Sequence, residues 1–506
     1  MTVSLARGTG AAAVLIISAQ GAFADVSAQD VWSDWKAYMT GTGYTVTGTE
    51  SQSGNVLTVS DISMTMPMPE QDGTGGVTMP EIQFVENGDG TVNVMLPKDF
   101  PMTFAGEDDG EKFSAEILYS HDGSPMVVSG DTSAMTYDYA IGQASLTLGQ
   151  IIGDGKEMPA DALKASVVIN DMVAKTVMQI DGQRSYTQTQ SMAKLAYDIA
   201  FQDPDSDDAG TITGSMSDIT GTAVSTIPSG LDSPEMADLI KAGLSIDAKI
   251  AYTGGNSAIS VTGSDSFDMQ STSAGGAFGV TMSKDGLSYD VGQKDISVDV
   301  SGSEIPFPLA LTMAEAGFKL LMPVSQSDEE QDLGLGITLR DFAVPDMLWG
   351  MVDPTGTLPH DPATIVLDLA GKGKLLFDMF DPESMKAMER GAQKPGEFNA
   401  VTIKQLLVTA AGAKLTGTGD FTFNNEDLVT FDGMPAPDGT ANIKLEGANG
   451  LIDNLIKMGL VSDSDAMGAR MMMGMFGVPG EGEDTLTSEI KVSEDGQILA
   501  NGQRIK

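Results

Sequence analysis

Ten Asp-Gly dipeptides, beginning at Asp72, Asp89, Asp109, Asp122, Asp154, Asp181, Asp285, Asp432, Asp438 and Asp495, punctuate this chain at uneven intervals. Asp-Gly suits a two-residue hairpin turn, because both central residues of that turn need positive φ, which glycine adopts freely and aspartate tolerates. Between the turns the polarity alternates. In "FVENGDGTVNVML", "ILYSHDGSPMVV", "VTMSKDGLSYDV" and "IKVSEDGQILA" the flanks read as paired strands. In "KLAYDIAF" the alternation puts Leu195, Tyr197, Ile199 and Phe201 on one face. The spacing is too irregular for a propeller or a short-period solenoid. The expected fold class is α+β, predominantly antiparallel β, with long curved meandering sheets packed by a few amphipathic helices.

Helices are expected where the meander is interrupted. Ser27 can cap "AQDVWSDWKAYMTG", on which Val31, Trp35 and Tyr38 share a face. A second helix is expected from a Ser233 cap and Pro234 to Gly243, leading into a strand. This repeat of helix, glycine and strand divides the chain into a first β-rich half, 25–230, and a second, 231–506. Further helices are expected over 307–321, from Asp346, near 383–391, and in the pair "NGLIDNLIKMGL" and "DSDAMGARMMMGMFG". The 307–321 stretch carries Glu315 and Lys319 between prolines, which reads as a buried amphipathic helix rather than a membrane span.

Arg7, the apolar run Ala11 to Ser18 and the Ala22-Phe23-Ala24 site have the form of a secretory signal peptide over residues 1–24, cleaved after Ala24. The expected location is the periplasm. The chain has no cysteine, so disulfides and a lipoprotein thiol are excluded and stability must come from packing. No later segment supplies the roughly 20 apolar residues of a membrane helix. With 71 acidic and 28 basic residues the formal charge is −43, which repels nucleic-acid phosphates and anionic lipid headgroups. An outer-membrane barrel is disfavoured by 6% aromatic content and by the Ile505-Lys506 terminus.

Residues suited to catalysis are scarce. His121 and His360 are the only histidines, both in turn-like contexts, and without cysteine the usual zinc, haem and iron-sulfur ligand sets are missing. No nucleophile elbow, P-loop or dinucleotide fingerprint occurs. No enzymatic activity and no cofactor are expected. In "DPDSDDAG", Asp203, Asp205 and Asp207 alternate as at the start of a calcium loop, but Asp208 stands where the loop glycine belongs and Gly214 where the bidentate glutamate belongs. A solvated acidic loop is the simpler reading.

The stretches "PFPLALTMAEAGFKLLMPV", "MLWGMVDPTGTLPHDPATIVLDLAG", "AAGAKLTGTGDFTFNNEDLVTFDGMPAPDGTANIKLEG" and "GEGEDTLTSEIKVSEDGQILANGQRI" together resemble an alphaproteobacterial envelope family, domain of unknown function 2125. Elements such as "LTGTGDFTF" and the closing hairpin are also similar to the long curved sheets of AsmA/YdgA-type envelope proteins. That resemblance implies an apolar trough between sheet and helices, able to take a lipid acyl chain or another envelope protein. Met467, Met471 and Met475 recur along one helical face, and together with Leu455 they are the candidate groove residues. Packing of this stripe against the sheet accounts for them equally well. The competing function is a scaffold with a filled interior and an acidic partner-binding surface.

Overall fold

The computed structural model describes residues 25–68, 73–108, 111–228, 236–390 and 394–506. The segment 1–24, expected to be a signal peptide, the turns expected at Asp72 and Asp109, and the cap expected at Ser233 and Pro234 lie outside them. Within the described residues 27 strands belong to one sheet, and neighbouring strands run antiparallel. The fold is therefore α+β and mostly antiparallel β, with six helices. Four consecutive strands, Ala134–Gly153, Leu163–Asp181, Gln183–Gln202 and Ala209–Ile227, hold 19 or 20 residues each. At about 3.4 Å per residue each is some 65 Å long.

The sheet is an open ribbon. One edge is Thr45–Ser53, paired with Val56–Met68; the other is the C-terminal hairpin that ends in Gln503–Arg504. Twice along the ribbon a long strand faces two short ones. Gly73–Glu86 pairs with both Val92–Met95 and Asp99–Asp108, and Met126–Asp131 and Glu111–His121 rejoin on Ala134–Gly153. Ala209–Ile227 likewise pairs with both Ser245–Tyr252 and Gly254–Thr262, and Gly275–Ser283 and Phe267–Ser273 rejoin on Gly286–Gly302. Strands that precede residue 228 thus pair directly with strands that follow residue 236.

The turn chemistry holds in part. Asp154 and Asn501, with their following glycines, have positive φ at both positions and close two-residue hairpins. Asp285-Gly286 and Asp495-Gly496 close the hairpins expected of them, with positive φ at the glycine. Asp122-Gly123 does not close one. Glu111–His121 and Met126–Asp131 part to different neighbours, and Asp122 instead accepts the Gly142 N–H at 2.7 Å.

Helix α1, Ala28–Gly41, starts with a capping box: Ser27 Oγ accepts the Asp30 N–H and Asp30 accepts the Ser27 N–H. It buries Val31 and Trp32 completely, whereas Tyr38 lies at the margin against Tyr186. Trp32, at the centre of this core, was not on the face expected from the sequence. The remaining helices are α2 (Met236–Lys241), α3 (Asp346–Val352), α4 (Pro382–Glu389), α5 (Ala448–Lys457) and α6 (Asp463–Phe476).

The helix expected over 307–321 is a strand, Leu309–Met322. Leu309, Leu311 and Met313 alternate, and the two charges find partners on neighbouring strands: Arg340 stands opposite Glu315 at 3.0 Å, and Asp290 opposite Lys319 at 3.2 Å. Cross-strand ion pairs thus take up the polar positions that seemed to mark a helix surface.

Candidate functional site

Side chains on a strand alternate between faces, so the pairing register assigns each residue to a side of the sheet. On one side, Ile250, Phe278, Val291, Phe318, Ile337, Leu367 and Leu406 stand directly opposite one another across seven neighbouring strands. The other side carries the charges, including the pairs Asp290–Lys319, Glu315–Arg340 and Asp332–Lys372. Broad clefts of about 630 and 580 Å³ open on this charged side; Lys414, Lys444 and Glu489 are among the residues lining the first, and Asp290, Lys319, Glu315 and Arg340 among those lining the second.

Helices α1, α2 and α6 lie on the apolar side. α1 covers a core that includes Met135 and Met178. Met178 is opposite Tyr186, which is opposite Ser225, and Ile227 on the same face packs with Ile240 of α2, Met282 and Leu287. Gly477, following α6, lies against Leu486, which continues through Leu445 and Leu415 to Val408 on that same face. Between these covered regions the face stays open. Ile250, Phe278, Val291 and Phe318 are 41%, 41%, 37% and 42% exposed.

A line of pairing interruptions crosses this face. Asp171, Asp218 and Asp295 have φ between 47° and 50° in the middle of long strands, and Asp341, φ 53°, lies near the end of Gln331–Phe342; the ladder skips a pair beside each. The interruptions lie opposite one another and align into a transverse crease, with the register shift of a β-bulge beside Asp341. A residue at positive φ breaks the regular pleat, so the alternation of side chains changes there. On Gly286–Gly302, Tyr289 and Val291 precede Asp295 at odd positions, whereas Ile296, Val298 and Val300 follow it at even ones. Apolar side chains consequently stay on one side of the sheet through the crease. Beyond it a second row runs Ile199, Ile212, Ile259, Met269, Val300 and Leu309 across six strands, each residue directly paired with the next. Sequence reasoning missed the crease, although its signal is present: "NDMV", "SDIT", "KDIS" and "RDFA" each place a polar residue, Asp and a large apolar residue in order.

At the crease the apolar face becomes polar. Tyr197 lies over Gly214 and Tyr252 over Gly276, and with Ser257, Ser271, Ser273 and Gln293 they line a depression of about 160 Å³. Gln293 Nε2 donates to the Tyr252 hydroxyl at 2.9 Å.

The candidate methionines are not packed against the sheet. Met467, Met471 and Met475 on α6 are 71%, 73% and 51% exposed, which corrects the packing alternative, while Leu455 on α5 is half-buried. Arg470 clamps α6 to α5 through Asp453 and Asn449. The stripe is thus an outer surface of the helix pair at one end of the ribbon.

Asp203 spends its carboxylate on the Asp205 N–H and the Ser206 hydroxyl of its own loop. His121 is buried against the Pro97 carbonyl at 3.0 Å. His360 stacks on Trp349 with ring centroids 4.4 Å apart and faces Asp353. Burial pushes the Asp353 carboxyl up, but N–H groups of Leu358 and Thr357 outweigh it and hold the pKa at about 2. Among the described residues no group of three or more His, Asp or Glu side chains could hold a metal ion, and no helix is long and apolar enough to cross a membrane.

Residues 237–502 match the family model described as "Uncharacterized protein conserved in bacteria (DUF2125)". No curated protein matches the chain.

Proposed function

We propose, for a chain that belongs to this bacterial family DUF2125 by a match over more than half its length, that the uncharged side of the sheet binds the hydrocarbon of an amphiphile. The observation that carries this reading is the aligned row Ile250, Phe278, Val291 and Phe318, more than a third of each side chain facing water between the helices. Contiguous apolar surface of this kind is a binding surface or an aggregation hazard. Hydrocarbon that loses roughly 400 Å² to such a face gains about 10 kcal/mol before ordering costs, enough for micromolar affinity. The protein works non-catalytically, on the periplasmic side of the envelope, after removal of residues 1–24.

The scaffold reading needs a filled interior. The packed clusters are gathered under α1 and α2, and the open rows between them favour a ligand instead. Native mass spectrometry of protein purified from an envelope fraction is expected to show a mature chain starting at Asp25 with a lipid adduct. Phe278→Asp and Phe318→Asp should abolish the adduct without unfolding the sheet. A mature wild-type protein that is consistently free of lipid overturns ligand binding, and an uncleaved cytosolic chain overturns export.

A further inference from the structure

The crease depression names the polar part of that ligand, an inference that rests on the proposed function. Its lining includes Tyr197, Tyr252, Asn256, Ser257, Ser271 and Gln293, the rest being serine, threonine, glycine, Met216 and Ile296, and no ionisable acid, lysine, arginine or histidine contributes to it. A headgroup carboxylate or phosphate would meet no cation there, and the chain's charge of −43 repels it further. A cationic headgroup would find no carboxylate. Hydroxyls both donate and accept, and the side-chain amide of Gln293 does the same, so the matching chemistry is neutral. With Gln293 donating to the Tyr252 oxygen, the Tyr252 proton is left to donate outward.

The glycines give the depression its shape. A Cβ at Gly214 would collide with the Tyr197 ring, and one at Gly276 with Tyr252, so the absence of side chains lets both rings lie along the sheet with their hydroxyls at the crease. About 160 Å³ holds a small polar group and no long chain. The apolar rows begin on either side: Ile212, Ile259 and Met269 beyond the crease, Ile250, Phe278 and Val291 before it.

We propose that the depression seats an uncharged hydrogen-bonding group, a hydroxyl, ester or amide, of an amphiphile whose hydrocarbon lies along the flanking rows. The test compares monooleoylglycerol with oleate, which share a chain and differ in headgroup, at a pH where oleate is ionised and below their aggregation concentrations. Monooleoylglycerol is expected to bind at least tenfold tighter to the wild-type protein. Tyr197→Phe and the double variant Ser257→Ala with Ser271→Ala should each weaken monooleoylglycerol roughly tenfold and leave oleate unchanged, with circular dichroism confirming the sheet. Phe278→Asp should weaken both ligands. Equal affinity for the two probes, or hydroxyl variants that bind monooleoylglycerol as well as wild type does, overturns this inference and leaves hydrocarbon binding standing. Failure of both probes to bind the wild-type protein overturns the proposed function as well.

Discussion

Asp295 occupies a backbone conformation, φ 48°, that few side chains accept, in the middle of a 17-residue strand. Aspartate tolerates it because its short polar side chain bonds locally, and a β-branched residue does not. Asp295→Val is expected to cost about 1–3 kcal/mol, read as a lower urea midpoint at unchanged m-value, while Asp295→Gly should cost less. Asp353 offers a pH test. Its folded pKa, about 2, lies below the ordinary carboxylate value, so its contribution to stability is complete above that ordinary value and is lost as pH falls through about 2. The Trp349 indole resonance, beside the loop that Asp353 organises, should shift as pH falls through about 2. Neither residue stood out in the sequence: the strained backbone at Asp295 forms within a strand paired to distant neighbours, and Asp353 bonds a tight loop of its own, 353–360, that no motif announces.

Elements with strong local signals were legible and elements decided by tertiary partners were not. The capping box at Ser27 and the break after Lys457 announce α1 and α5 without help from the rest of the fold. Leu309–Met322 was misread because the register that pairs Glu315 with Arg340 is invisible in one strand alone. Trp32→Ala should destabilise by about 3–5 kcal/mol, since the ring is buried against Phe84 and its Nε1 donates to Glu50 at 2.7 Å. On α6 the opposite holds. Met467→Gln with Met471→Gln should leave the unfolding free energy within about 0.5 kcal/mol, because both side chains already face water. Met467, Met471 and Met475 lie on α6 and Leu455 on α5, but helical phase fixes only which residues share a face, and the apolar rows that carry the proposed site belong to the sheet.

At the scale of the whole molecule, the antiparallel ribbon followed from its turns and alternation, while the segregation of charge from hydrocarbon required the register of many strands at once. Mutual repulsion in a chain of charge −43 opposes the compact state and is screened by salt. Raising ionic strength from about 0.01 to 0.15 M should therefore raise the melting temperature, most clearly with salts that do not bind the protein. The open margins of the described ribbon carry unpaired backbone groups. Thr45–Ser53 offers its outer row of amide and carbonyl groups to any passing strand, but almost all its side chains are polar and exposed, so a newcomer would gain hydrogen bonds and bury little hydrocarbon. At the far margin Gln503–Arg504 is two residues long and flanked by Lys506, too brief and too cationic to template another copy. The chemistry of these two margins thus discourages edge-to-edge growth, in a molecule whose greasy side is left partly uncovered.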